Sequence, residues 1–204
     1  GATAAHVHQA PTGFIRKYIF SMDHKVIGIQ YWFLALTAVF VGMGLSLYMR
    51  RQRAADYAAV KAELAALAGT TPEEIVITRN TTESLDLVIG GMNWEKGDEA
   101  VFAEQDYGSM QDMFKQVSDR YGVKLVKVSV PNHPSSDEEI VSLYVKAITP
   151  KTKLLMVCHI INITGHILPV RKICDMAHAK GVEVMVDGAH AFAHFRYKIS
   201  DLNC

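Results

Sequence analysis

Apolar residues follow two different patterns along the 204-residue chain. From Val26 to Met49 no side chain is charged, and the run is apolar around its whole helical circumference apart from Gln30, Thr37 and Ser46. At ~1.5 Å per residue such a helix reaches about 36 Å, enough to cross a hydrocarbon core of ~30 Å with some tilt. A transmembrane helix is predicted over residues 26–49. Tyr31 and Trp32 suit one membrane interface and Tyr48 the other, while Gly28, Gly42 and Gly44 permit close helix packing in lipid. A cleavable signal peptide fits poorly, because Arg50-Arg51-Gln52-Arg53 follows the run in place of a small-residue cleavage site.

The pattern changes after Gln52. Arg53 to Ala68 is rich in Ala, Leu, Lys and Glu, with Val60, Leu64 and Leu67 at helical spacing and Gly69 as a stop. Short β-branched runs then appear at Ile75 to Thr78, Ala100 to Ala103, Val123 to Val130, Leu154 to Cys158 and Val182 to Val186. Helical stretches separate them near Thr82 to Ile89, Ser109 to Tyr121, Asp137 to Ala147 and Val170 to Lys180. This alternation predicts an α/β fold, a mostly parallel sheet with helices on both faces, preceded by the one membrane helix.

Charge sharpens the division. The chain holds 21 Lys+Arg and 21 Asp+Glu, but residues 1–52 carry five bases (Arg16, Lys17, Lys25, Arg50, Arg51) against Asp23 alone, which leaves sixteen bases and twenty acids for the rest. Two segments are therefore expected, 1–52 and 53–204. Neither is basic enough for nucleic acid. Three cysteines, Cys158, Cys174 and Cys204, without a CxxC pair, do not make a disulfide framework and place the larger segment in a reducing compartment. Bases flank both ends of the membrane run, so charge does not set its orientation. The expected arrangement is a membrane anchor with the α/β domain in the cytoplasm, or a cytoplasmic protein if the helix is an artefact. A start at Gly1 and a stop at Cys204, straight after a polar stretch, read as a fragment at both ends.

In a parallel sheet, ligands sit beyond the carboxyl ends of the strands. Four predicted loops lie there. Arg79-Asn80-Thr81-Thr82-Glu83-Ser84 opens a helix with hydroxyls and free N–H groups, which suits a phosphate but also suits an ordinary N-cap. Glu104-Gln105-Asp106-Tyr107 could hold an aromatic ring over a flat ligand. His159 to Gly165 places Asn162 as a donor to a ligand oxygen. Asp187-Gly188-Ala189-His190 ends an apolar strand with an acid, and an acid there stays ionised only beside a partner such as a protonated pyridine nitrogen. Asp187, His190 and His194 also space as D-x2-H-x3-H, a possible metal pattern, although it runs through irregular loop.

Taken as a set, Arg-Asn-Thr-Thr-Glu-Ser, Asn-x-Thr-Gly and Val-Asp-Gly-Ala-His resemble the class V aminotransferase family over residues 54–204. These are fold type I pyridoxal-phosphate enzymes, and the group includes cysteine desulfurase-like and isopenicillin-epimerase-like proteins. The resemblance implies part of their large domain, pyridoxal phosphate as cofactor, an amino-acid substrate and a homodimeric parent. Thr81 and Thr82 would bind the cofactor phosphate, Asp187 would pair with the pyridine nitrogen, and Asn162 and His190 would bond its phenolic oxygen. Many members carry a His where this chain has Gln105, so ring stacking falls to Tyr107 or is weakened. The family's Schiff-base lysine lies about two dozen residues beyond the Asp-Gly-Ala-His strand, past Cys204; Lys198 is too close to Asp187 and is not assigned. No catalytic residue is expected within the chain, and little turnover.

Residues 10–52 carry a second resemblance. Pro11-Thr12-Gly13-Phe14, Ser21-Met22-Asp23-His24-Lys25-Val26-Ile27-Gly28 and Leu45-Ser46-Leu47-Tyr48-Met49-Arg50 resemble the N-terminal segment and first membrane helix of haem-copper oxidase (cytochrome c oxidase) subunit I. Arg50 would map onto an arginine near the low-spin haem, but the haem and copper ligands lie on later helices that are absent here. With no Gly-, Ser- or Pro-rich linker at the join, the sequence reads as a chimaera of an oxidase fragment and an aminotransferase fragment. The alternatives are a fragment of the oxidase itself, or a non-catalytic membrane-anchored module that binds a cofactor.

Overall fold

A computed structural model describes residues 13–15 and 24–204. Arg16, Lys17, Pro11, Thr12 and residues 21–23 of the oxidase-like segment lie outside the described residues, as do the side chains of residues 24–28. The chain forms two compact units, residues 1–59 and 60–204.

Helix α1 is assigned over His24–Ala68. Two helices were expected on either side of residues 50–53, but Arg, Gln, Ala and Lys are all good helix formers and nothing in Arg50-Arg51-Gln52-Arg53 breaks the hydrogen-bond ladder. In the first unit Trp32, Phe33, Leu34 and Phe40 are exposed, and the helix is long and apolar enough to cross a membrane. In the second unit its last turns bury Ala65 and Ala68.

The second unit continues through α2 (Thr81–Gly91), β1 (Glu99–Ala103), α3 (Gly108–Tyr121), β2 (Lys124–Val128), α4 (Asp137–Ala147), β3 (Thr152–Cys158), α5 (Val170–His178) and β4 (Glu183–Asp187). The four strands form one parallel sheet in the order β2-β1-β3-β4. Alternate residues of the central strands face opposite layers. Val101, Ala103, Leu155 and Val157 pack with Ile140 and Tyr144 of α4 and Ile173 and Cys174 of α5. Ala100, Phe102, Leu154 and Met156 pack with Leu85 and Ile89 of α2 and Met110 and Phe114 of α3. Helices thus cover both faces, as the alternating pattern requires.

One expected strand is absent. Ile75–Thr78 is extended but unpaired, following a 3₁₀ turn at Pro72–Glu74, and Val76 is 77% exposed. An apolar, β-branched run makes a strand only when another edge lies within hydrogen-bonding reach. Among the described residues none does.

Candidate functional site

The chain runs from β1 outward to β2 and then returns to the other side of β1 to make β3. The strand order therefore reverses between β1 and β3, and a crevice forms at their carboxyl ends. A cleft of about 280 Å³ opens there, lined by Asn80, Thr81, Thr82, Tyr107, Cys158, Asn162, Asp187 and His190, with Leu85, Met110 and Ala189. That volume lies near the lower end for small-molecule sites, roughly 300 Å³ and upward. All six residues singled out in the sequence line this one cleft.

Each reaches it for a local reason. Helix α2 starts at Thr81 because Asn80 caps it: the Glu83 N–H donates to Asn80 Oδ1 at 2.8 Å. The first-turn N–H groups of a helix have no intrahelical partner, and with that of Glu83 taken, those of Thr81 and Thr82 are the ones left to a ligand. Glu83 could repel an anion here, yet Arg79 answers it, with Nη2 donating to Oε1 at 2.9 Å and the backbone N–H to Oε2 at 2.7 Å. That hydrogen bonding holds the Glu83 carboxyl below its ordinary range. The turn serves as both an N-cap and an anion cradle; the two readings are compatible.

Tyr107 precedes α3 and its carbonyl accepts the N–H groups of Met110 and Gln111. Gln105 lies away from the cleft. Its Nε2 donates to the Val130 carbonyl at 2.6 Å and its Oε1 accepts the Val130 N–H at 3.2 Å, which ties the loop after β1 to the chain after β2. Tyr107 is thus the aromatic side chain of this loop at the cleft. Asn162 sits in a tight turn closed by the Gly165 N–H to the Ile161 carbonyl at 2.8 Å, and Gly165 takes φ +72°, where a Cβ would be strained.

Asp187 ends β4, is 6% exposed, and accepts the Ala189 N–H on Oδ1 at 3.0 Å. His190 is exposed at the rim. His194 does not join them: it lines a separate depression with Phe192, Tyr197 and Lys198. Asp187, His190 and His194 therefore do not converge as the D-x2-H-x3-H spacing allowed, and no group of three or more potential ligands gathers among the described residues.

Sequence reading missed three neighbours. Asn80 was visible as a cap but not as lining. Cys158 closes an apolar strand and looks like core; burial, with repulsion from Asp187 and Asp106, pushes its thiol up to about 12. Asp106 had no distinguishing signal in its polar loop, yet it is 4% exposed.

The chain matches the family described as aminotransferase class-V over residues 44–204, a match that begins inside the apolar run. It is 32% identical over 141 residues to isopenicillin N epimerase of Streptomyces clavuligerus, covering 69% of this chain and 35% of that protein. It is 32% identical over 138 residues to a probable cysteine desulfurase of Halalkalibacterium halodurans, covering 66% and 33%. Among solved structures, the cysteine desulfurase CsdA of Escherichia coli superposes with a TM-score of 0.67 at 27% identity, over 75% of this chain and 39% of that one. The chain spans about a third of the length of these curated relatives.

Proposed function

Since the chain belongs to the class V aminotransferase family, we propose that the cleft at the ends of β1, β3 and β4 binds pyridoxal phosphate and serves chemistry on an amino-acid substrate. The observation that carries this reading is the opposition of two charge preferences across one cleft, an anion cradle at Thr81 and Thr82 and a buried carboxylate at Asp187. The donor set fits the cofactor's two ends. Bound there, pyridoxal phosphate supplies an electron sink for a carbanion at the substrate's α-carbon.

The chain's own residues do the holding. Thr81 and Thr82 take the phosphate on main-chain N–H groups and the Thr82 hydroxyl, aided by the positive end of α2. Asp187 keeps a proton on the ring nitrogen, because a buried carboxylate is best compensated by a cation beside it. Tyr107 covers one ring face and keeps water from it. Asn162 and His190 orient the ring's oxygen substituent. Calorimetric titration of the full chain with pyridoxal phosphate, and with pyridoxal as the phosphate-free control, tests the assignment. Saturable binding at least about tenfold tighter for the phosphate form supports it; equal, weak binding of both overturns it.

A second reading concerns residues 26–49, which we place across a bilayer, with the α/β domain on the cytoplasmic side. It is favoured by the exposed Trp32, Phe33, Leu34 and Phe40 on the uncharged stretch of α1. Phe40→Arg, at a cost of about 2.5–3.5 kcal/mol for a charge at mid-membrane, should move the chain from alkali-resistant membranes to the soluble fraction. If the unaltered chain is itself soluble after alkali, this reading fails. The oxidase-like box over residues 10–52 and the joining of two fragments rest on the sequence alone. A single long read across the locus tests them, and an uninterrupted native gene with this junction would rule the chimaera out.

A further inference from the structure

Asp106 is buried in the β1–α3 loop, one residue before Tyr107 of the cleft lining. Its Oδ2 accepts the Ala103 N–H at 2.7 Å while its own N–H donates to the Ala103 carbonyl at 3.2 Å. One residue thus closes the β1–α3 turn on both polar groups of Ala103. Gln111 of α3 fastens the same turn, its Nε2 donating to the Asp106 carbonyl at 2.8 Å.

The other carboxyl oxygen, Oδ1, is enclosed and has no partner. A buried carboxylate with one oxygen bare is costly; a neutral carboxylic acid carries its proton on that oxygen and avoids most of the cost. The surroundings favour the same state. Asp187 repels a second anion from the end of β4, Cys158 lies at the end of β3, and Tyr144 of α4 is fully buried with its hydroxyl also lacking a partner. None of these groups is a cation. Burial, reinforced by the charge of Asp187 and only partly offset by the Ala103 N–H, pushes the Asp106 carboxyl up to about 7.

We propose that Asp106 is a positioning residue of the cleft: its carboxyl fixes the turn carrying Tyr107 and, in its protonated state, puts no second buried charge beside Asp187. It acts through Tyr107 and Asp187 and touches no reacting atom. The inference depends on the cofactor reading only for what Tyr107 covers, and its test needs no cofactor, so failure of either is seen separately.

The test is a carbon-13 titration of aspartate-labelled full chain, followed together with the backbone amide of Tyr107. Subtracting the Asp106→Asn spectrum assigns the Asp106 carboxyl. The expected result is a carboxyl transition near pH 7, a Tyr107 shift with the same midpoint, and loss of that shift in Asp106→Asn, because asparagine has the shape and hydrogen-bonding capacity of the neutral acid. A carboxyl that titrates near 4 overturns the proposal, as does a Tyr107 amide that ignores the transition. Asp106→Ala should displace the Tyr107 signal at every pH; an unmoved signal would count against the positioning role. If that variant does not fold, the comparison of the unaltered chain with Asp106→Asn still decides.

Discussion

The backbone N–H of His159 donates to the carbonyl oxygen of Asp187 at 2.9 Å, one step past the Cys158–Asp187 pairing of β3 with β4. The two loops that bring Asn162 and His190 to the cleft therefore leave from one shared rung of the sheet. His159 is itself held by the Phe195 and Tyr197 rings, packed edge-on at 5.3 and 5.0 Å between centroids, and its burial lowers its pKa. Burial thus favours the neutral imidazole of His159, and the Asp187 carboxylate is left for a ligand cation.

The cap of α2 gives a direct energetic test. Asn80→Ala removes the acceptor for the Glu83 N–H and should cost about 1 kcal/mol. Urea melts followed by far-ultraviolet circular dichroism should show a lower midpoint with an unchanged slope.

A larger loss is expected in the layer under that helix. Phe114 and Phe102 stack at 4.7 Å with rings 4° from parallel, and both are fully buried. Phe114→Ala should destabilise the fold by about 3–5 kcal/mol, read from the same melts; a loss under 1 kcal/mol would show that the layer repacks freely.

Much of this architecture was legible in the sequence. All four helices after α1 and the four strands of the sheet lie where hydrophobic periodicity put them, because each buries a face and a buried face leaves a periodic mark. The strand expected at Ile75–Thr78 was not formed, since local β-propensity says nothing about a partner edge. The cleft's lining was legible as polar loops at strand ends. The clasp of Gln105 on Val130 was not, nor was the burial of Asp106: both depend on contacts between distant parts of the chain, and in sequence a buried polar residue looks like an exposed one.

The acidity of Asp106 predicts how stability varies with pH. Unfolded, the carboxyl loses its proton near 3.8; folded, it holds the proton to about 7. The stability contributed by the protonated group is whole below about pH 4 and is lost as pH rises through 7, a change on the order of 4 kcal/mol. Asp106→Asn removes this dependence, so its stability relative to the unaltered chain should improve from about pH 4 and level off above about pH 7. Parallel pH profiles for the two proteins would contradict it.

The cleft, as proposed, binds a cofactor with its phosphate at α2 and a cationic ring nitrogen at Asp187. The most direct measurement is the affinity of the full chain for pyridoxal phosphate with and without Asp187→Asn, followed by the cofactor's near-visible absorbance. The expected result is saturable binding that weakens by about tenfold or more in the variant, the size expected for losing a charge-assisted hydrogen bond. Equal affinity in the two proteins, or no binding by the unaltered chain, would contradict it.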